Sequence, residues 1–129
     1  MNGTVSHFEI YGENLEALTA FYREVLGWDI QQMPGISYWR VQPPNSGGMG
    51  LHGGMTLRAI PNLNGWLLFV QVDSLDETIA RVVEHGGGVV RPKTAVPRTA
   101  WVTIVADPAK NIFGVWQADP TAFPMPEPD

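Results

Sequence analysis

Two side chains near the start of the chain are of types that transfer protons or bind metals. His7 and Glu9 are separated by one residue within the run 5–10. Because side chains alternate along a β-strand, both lie on one face if this run is a strand. An imidazole changes charge near neutral pH and can exchange a proton with a reacting group. The pair could serve acid–base catalysis, contact a ligand, or begin a metal site.

Further candidates for ligand contact come from other predicted strands. Tyr38 and Arg40 share a face of one strand, and Arg40 is the cation that we expect near an anionic group of a ligand. Phe69 and Gln71 share a face of a later strand, where Gln71 could orient a substrate carbonyl or satisfy a neighbour. Strand parity predicts that Trp116 shares a face with Phe69, where the two rings would stack flat ligands.

The histidines also have plainer interpretations. His7 could be a buried strand histidine that bonds to Glu9 or to the backbone. His52 lies among glycines, which favours solvent exposure over function. A site of His7, Glu9 and His52 would be an unorthodox metal centre, since divalent metals need about three protein ligands. The absence of cysteine excludes disulfides, thiolate metal sites and cysteine nucleophiles.

The elements that must position these residues follow one plan twice. Strand patterns occupy 5–10 and 66–72, and each is followed by a helical pattern, with the helix starts at Leu15 and Leu75 sixty residues apart. Asn14 and Ser74 are suited to cap the two helices. Three further strands follow each helix, which predicts an α+β fold. After the first helix, strands are expected from 28, at 36–41 and at 51–60, the last with a break at Gly53-Gly54. After the second helix, they are expected from 89, at 100–106 and at 112–117.

Three segments are predicted to lie outside regular structure. Residues 43–50 are rich in turn formers and are expected to be a mobile loop. A phosphate-binding loop is the alternative there, but the Gly-Lys-Ser/Thr ending is missing. Residues 61–65 are predicted to link the halves. The proline-rich tail from 118 is expected to be a loose end or an arm on a partner subunit.

Overall composition narrows the class of protein. A length of 129 residues indicates one domain. The net charge is −5, from 8 Lys+Arg and 13 Asp+Glu, and no basic cluster points to nucleic acid. There is neither a leader nor an apolar run of the roughly 20 residues that a membrane span needs. We therefore expect a cytoplasmic protein with no membrane and no nucleic-acid partner.

The chain resembles the vicinal oxygen chelate superfamily, the glyoxalase/bleomycin resistance protein/dioxygenase group. The resemblance rests on His7-Phe8-Glu9-Ile10, on Phe21-Tyr22-x-x-Val25-Leu26-Gly27-Trp28, and on the closing stretch 107–117. It extends over residues 4–118. It implies a single domain of two βαβββ modules whose curved mixed sheets enclose a cavity, and a homodimer. The modules would cover about 4–60 and 66–118, followed by the tail 119–129.

The resemblance also implies where metal ligands would stand. Of the family's four ligand positions, the first falls on His7, the second histidine on Phe69, and the closing glutamate on Gly114. The ligand near the end of the first module falls around 53–55, where no carboxylate stands. With one of four ligands present, no metal and no other cofactor is expected. Lys110 replaces the glycine of the family's closing turn, so we expect a turn of different shape.

Two functions stay open at this point. The first is a glyoxalase/bleomycin-resistance-like protein that holds a small aromatic or cationic molecule in a metal-free cavity. The second is an enzyme of the isomerase, lyase or hydrolase type, in which His7 and Glu9 transfer protons. A metal-dependent glyoxalase or dioxygenase is disfavoured by the missing ligands.

Overall fold

Within the part of the chain that the structure describes, eight strands and two helices confirm the α+β class. The computed structural model describes residues 2–42, 51–58, 61, 63 and 65–124. The predicted loop 43–50 and parts of the predicted linker and tail lie outside these residues. In chain order the elements are β1 Thr4–Tyr11, α1 Leu15–Leu26, β2 Asp29–Gln32, β3 Tyr38–Gln42, β4 His52–Thr56, β5 Gly65–Gln71, α2 Leu75–Glu84, β6 Gly88–Val96, β7 Ala100–Ala106 and β8 Ile112–Ala118. The order βαβββ therefore occurs twice, as predicted.

The chain divides into two compact units. The first unit is Ser6–Leu68, and the second is Met1–Val5 together with Phe69–Asp129. In the first unit the strand order is β2-β3-β4-β1, with β1 and β4 parallel and the other pairs antiparallel. Its core contains the following buried side chains: Phe8, Ile10, Leu15, Ile30, Val41 and Met55.

Helix α1 begins at the predicted Leu15, and both of its ends carry strong signals. The Asn14 side chain accepts a hydrogen bond from the Ala17 backbone N–H, which satisfies one of the unpaired donors of the first turn. Gly27 ends the helix with φ 70°, a left-handed conformation that glycine adopts without steric cost. The helix buries Leu15 at its start, against β1.

The second unit repeats this arrangement. Its strand order is β5-β8-β7-β6, with β5 and β8 parallel. Ser74 caps α2 by accepting from the Glu77 backbone N–H, and Leu75 is fully buried in the core. Val83, near the end of this helix, is exposed. Neither described helix, at 12 and 10 residues, is long enough to span a bilayer.

Strand β4 corrects one prediction. Gly53 and Gly54 were expected to break it, yet they pair with Phe8 and Glu9 of β1 and with Val41 and Arg40 of β3. Glycine suits both positions because an aromatic ring fills the space that a side chain would need: the Phe8 ring at Gly53 and the Tyr38 ring at Gly54. A Cβ on Gly53 would lie 2.5 Å from the Phe8 ring. The two glycines therefore mark a close approach of side chains within a continuous strand.

The tail corrects another prediction as far as Pro124. Beyond β8 it folds back on the β6–β7 turn, where the Arg98 N–H donates to the Ala122 carbonyl at 2.8 Å and the Asp119 N–H donates to the Thr99 carbonyl at 2.9 Å. Ala122 is buried. This part of the tail is consequently anchored to its own chain. The final residues, 125–129, lie outside the described part.

The turn before β8 was expected to change shape around Lys110, and that expectation is wrong. Lys110 keeps the left-handed conformation, with φ 69°. The Asp107 carboxylate fixes the turn by accepting bonds from the backbone N–H groups of Ala109 and Asn111 and from the Asn111 side chain. The side-chain and backbone hydrogen bonds from Asn111 lower the pKa of Asp107. The turn thus holds a lysine in a backbone conformation that glycine adopts more easily.

Replacing Lys110 with glycine is expected to stabilise the protein. A side chain in the left-handed region costs more than the extra freedom that glycine gains in the unfolded chain, so Lys110→Gly should raise the free energy of unfolding by about 0.5–1 kcal/mol. Chemical denaturation measures it. Ala109→Gly, at a neighbouring position without positive φ, is the control and should not stabilise. Equal effects of the two substitutions would contradict the strain at Lys110.

Candidate functional site

One carboxylate in the first unit gathers three polar side chains. The Tyr11 hydroxyl donates to Glu9 Oε1 at 2.6 Å, and the Tyr38 hydroxyl donates to Glu9 Oε2 at 3.2 Å. His7 Nε2 lies 3.3 Å from Glu9 Oε2 and 3.4 Å from the Tyr38 hydroxyl. We call His7, Glu9, Tyr11 and Tyr38 the Glu9 cluster. The structure thus brings together three residues predicted from the sequence and adds Tyr11.

The cluster lies on the face of β1 that turns away from the core. Phe8 and Ile10 pack against α1, so the alternating His7, Glu9 and Tyr11 project to the opposite face. The side chains of His7 and Glu9 are 28% and 17% exposed. Both are covered enough to be held in place, and both remain accessible to a small molecule.

A missing side chain on β4 allows Tyr38 to reach Glu9. Gly54 pairs with Glu9 on one side and with Arg40 on the other, so it separates the two strands that carry the cluster. Tyr38 itself pairs with Thr56, and its ring leans across Gly54. A Cβ on Gly54 would lie 2.0 Å from the Tyr38 hydroxyl oxygen. Gly54 is therefore a positioning residue for the Tyr38–Glu9 hydrogen bond.

Tyr38 stays a hydrogen-bond donor over a wide pH range. Burial raises the pKa of Tyr38 well above its usual value of 10.0, and the charge of Glu9 and the hydrogen bond to it raise the pKa further. The positive charge of Arg40 opposes this shift. Arg40 is exposed on the same face of β3 as Tyr38. The predicted cation accordingly lies at the solvent side of the cluster.

The other predicted ligand contacts belong to the second unit. Phe69 pairs with Gly114, and Gln71 pairs with Trp116, in the parallel ladder of β5 and β8. Phe69 is buried, whereas Gln71 and Trp116 are half-buried. Val70 and Val115 point to the α2 core, so these four residues share the face of the sheet away from the helix. The predicted grouping of Phe69 with Trp116 on one face is therefore present.

The residues present do not fit the metal of the superfamily. A Cβ on Gly114 would lie 2.3 Å from the Phe69 ring, and the space above Gly54 is filled by Tyr38, so neither position has room for a carboxylate. His52 pairs with His7 but is exposed. Among the residues that the structure describes, no group of three His, Asp or Glu side chains could hold a metal ion. The unorthodox site of His7, Glu9 and His52 is therefore not formed there.

The raised pKa of Tyr38 predicts a loss of stability in alkali. Above pH 10 an unfolded tyrosine gives up its proton, while folded Tyr38 keeps it, so the free energy of unfolding falls as pH rises from about 10. Tyr38→Phe should make this fall shallower, as measured by denaturation between pH 8 and 11. Tyr22→Phe, which removes a hydroxyl on α1, serves as the control. Identical pH profiles for wild type and Tyr38→Phe would contradict the assignment.

Comparison with known proteins agrees with this fold. A family model described as a glyoxalase-like domain matches residues 9–116. A protein named "Putative glyoxylase CFP32" from Mycobacterium tuberculosis (strain CDC 1551 / Oshkosh) is 24% identical over 129 residues, which is 91% of this chain and 46% of that protein. The chain thus spans about half the length of the curated relatives that it matches.

Two solved structures show the same fold at low sequence identity. A glyoxalase/bleomycin resistance protein/dioxygenase superfamily member from Vibrio splendidus 12B01 aligns with a TM-score of 0.59 at 15% identity, covering 86% of this chain and 95% of that one. Methylmalonyl-CoA epimerase from Mycobacterium tuberculosis aligns with a TM-score of 0.59 at 13% identity, covering 89% and 87%. Since the family match extends over most of the chain, the protein belongs to the glyoxalase-like domain family of the vicinal oxygen chelate superfamily.

Proposed function

We propose that the protein binds a small aromatic or cationic molecule at the Glu9 cluster, without a metal held by its own side chains. One observation carries the proposal: two hydroxyls and an imidazole converge on a single, partly exposed carboxylate. Polar groups gathered in this way fix the orientation of a ligand, because their own positions are already set. The acidic balance of the chain is compatible with a cationic ligand.

The hydrogen-bonding capacity of the cluster favours a ligand that donates. The ionised Glu9 carboxylate only accepts, and its two oxygens offer about four acceptor positions. The Tyr38 hydroxyl donates its one hydrogen to Glu9, but its oxygen can still accept a hydrogen bond from a ligand. An ammonium or hydroxyl group of a ligand would find acceptors at both residues. The Tyr38 ring adds an aromatic surface, which attracts cations and stacks with flat groups.

Other residues would then set the rest of the ligand's chemistry. Arg40, exposed beside Tyr38, is proposed to pair with an anionic group if the ligand carries one. Within the second unit, Phe69, Gln71 and Trp116 remain proposed ligand contacts of their own, with Trp116 as a stacking surface and Gln71 as a partner for a carbonyl. A homodimer and a cytoplasmic location remain predictions from the sequence.

Proton transfer is the second candidate. His7 Nε2 lies 3.3 Å from Glu9 Oε2, close enough for a proton to be shared between them. The structural neighbour methylmalonyl-CoA epimerase is an isomerase by name, which brings that class of reaction into consideration. The geometry favours binding over catalysis, because both oxygens of Glu9 already accept tyrosine hydroxyls. The two tyrosine donors hold the carboxylate in one orientation, which suits a fixed binding contact, and its remaining acceptor positions are available to a donor group of a ligand.

A matched set of probes tests the proposal. 2-Phenylethylammonium, 3-phenylpropan-1-ol and 3-phenylpropanoate share a phenyl ring and differ in charge. We expect the ammonium probe to bind most tightly in ligand-observed NMR titrations. Glu9→Gln should weaken it about tenfold or more, since a hydrogen bond to a charged group is lost, and Tyr38→Phe should weaken it less.

Glu24→Gln is the control because it makes the same change on the exposed surface of α1. Equal affinity of Glu9→Gln, Glu24→Gln and wild type for the ammonium probe would overturn the proposed site. If instead the wild type exchanges carbon-bound protons of an acyl thioester with D₂O, and His7→Gln abolishes this exchange, the second candidate replaces the first.

A further inference from the structure

Four aromatic rings form a separate cluster on the α1 side of the first unit. Phe8 and Trp66 stack with ring centroids 5.4 Å apart and an interplanar angle of 17°. Tyr22 and Trp28 stack at 5.2 Å and 9°. The two pairs meet at steeper angles, with Trp66 lying 6.0 Å from Tyr22 and 5.8 Å from Trp28. Each ring is therefore held by contacts with the other rings.

Trp66 is both fixed and exposed, which is an unusual combination. Its indole N–H donates to the Tyr22 hydroxyl at 3.2 Å, and its ring stacks on Phe8, yet the residue is 51% exposed. An exposed apolar side chain is ordinary by itself. Here, however, the orientation of the indole is set from two directions. A ligand that stacks on it would not have to immobilise it, which lowers the entropic cost of binding.

The exposed part of Trp66 borders a cleft of about 290 Å³. This volume lies at the small end of the range for ligand pockets, about 300–1,000 Å³. Among the residues that the structure describes, those that line the cleft are all apolar or aromatic and none is ionisable: Phe8, Trp28, Val41, Leu51, Trp66 and Leu68. A charged group placed there would lose water and find no partner in the lining, so the cleft suits an uncharged ligand.

We infer that this cleft is a second ligand site, which takes one flat, uncharged aromatic ring stacked on Trp66. The site is distinct from the Glu9 cluster, because Phe8 and Glu9 alternate on β1 and face opposite sides of the sheet. A second copy of the chain is a less well supported occupant of the cleft, because the exposed apolar area is small. The exposed apolar lining consists of three side chains (Leu51, Trp66 and Leu68), whereas a stable interface buries about 800 Å² on each partner.

NMR of the five tryptophan indole N–H groups tests this inference. 2-Naphthylmethanol is the neutral probe and 2-naphthylmethylammonium is the charged one of the same ring size. On addition of the neutral probe, the indole signals of Trp66 and Trp28 should shift, while those of Trp39 and Trp101 should not. Measured from the Trp66 and Trp28 signals, the neutral probe is expected to bind at least tenfold more tightly than the ammonium probe.

Two variants complete the test. Trp66→Leu keeps the position apolar and should weaken the neutral probe at least tenfold, with an otherwise unchanged spectrum. Tyr38→Phe, on the opposite face, should leave this affinity unchanged, so failure here is separable from failure at the Glu9 cluster. Unchanged affinity of the neutral probe in Trp66→Leu, or equal affinities of the two probes read from the wild-type Trp66 and Trp28 signals, would overturn the inference. So would a wild-type dimer in ultracentrifugation that Trp66→Leu dissociates, because a second copy would then cover the cleft.

Discussion

Aromatic rings lie directly over glycines in the last strand of each unit, and much of the structure depends on this packing. Tyr38 covers Gly54 in the first unit, and Phe69 covers Gly114 in the second. A Cβ at either glycine would meet the ring at 2.0–2.3 Å, far inside any real contact. Protein interiors are packed closely enough that such a conflict must be relieved by moving the ring or the strand. The identity of each glycine is therefore tied to the ring above it.

The same packing sets the chemistry that each unit can offer. The resemblance to the superfamily implies metal-binding carboxylates around Gly54 and at Gly114. Here an aromatic ring fills the space beside each glycine, so among the described residues Glu9 has no partners for a metal site. In exchange, the Tyr38 hydroxyl reaches across Gly54 and donates to Glu9. The polar face of the first unit thereby becomes a hydrogen-bonding surface. Its opposite face carries the aromatic cluster around Trp66, so one small sheet presents two chemically different surfaces.

Local patterns in the sequence were sufficient for the elements but not for the contacts. The cap Asn14 predicted the start of α1, and alternation predicted that His7 and Glu9 share a face. Tyr11 was missed although it lies two residues beyond Glu9 on the same face. The role of Gly54 was missed because it depends on the register of β1, β3 and β4, which no local pattern encodes. A glycine within a strand was the available signal, and it was interpreted as a break.

Two further errors have the same origin. Ala122 is buried and accepts a backbone hydrogen bond from the distant Arg98, a contact that the composition of the tail could not predict, so a loose end was expected. Lys110 adopts a left-handed conformation because Asp107 fixes the turn through three hydrogen bonds. The low propensity of lysine for the left-handed region favoured a different turn, but the hydrogen bonds to the Asp107 side chain outweighed that preference. In both places, contacts beyond the local sequence pattern determined the structure, and predictions from the local pattern were therefore wrong.

A double-mutant cycle between Gly54 and Tyr38 tests the central claim most directly. Gly54→Ala should lower the free energy of unfolding by about 2 kcal/mol in the wild type, because the new methyl group displaces the Tyr38 ring. In the Tyr38→Ser background, where the ring is gone, the same substitution should cost less than about 0.5 kcal/mol, and the difference is the coupling between the two positions. An equal cost in both backgrounds would contradict the claim that Gly54 is required because Tyr38 lies over it.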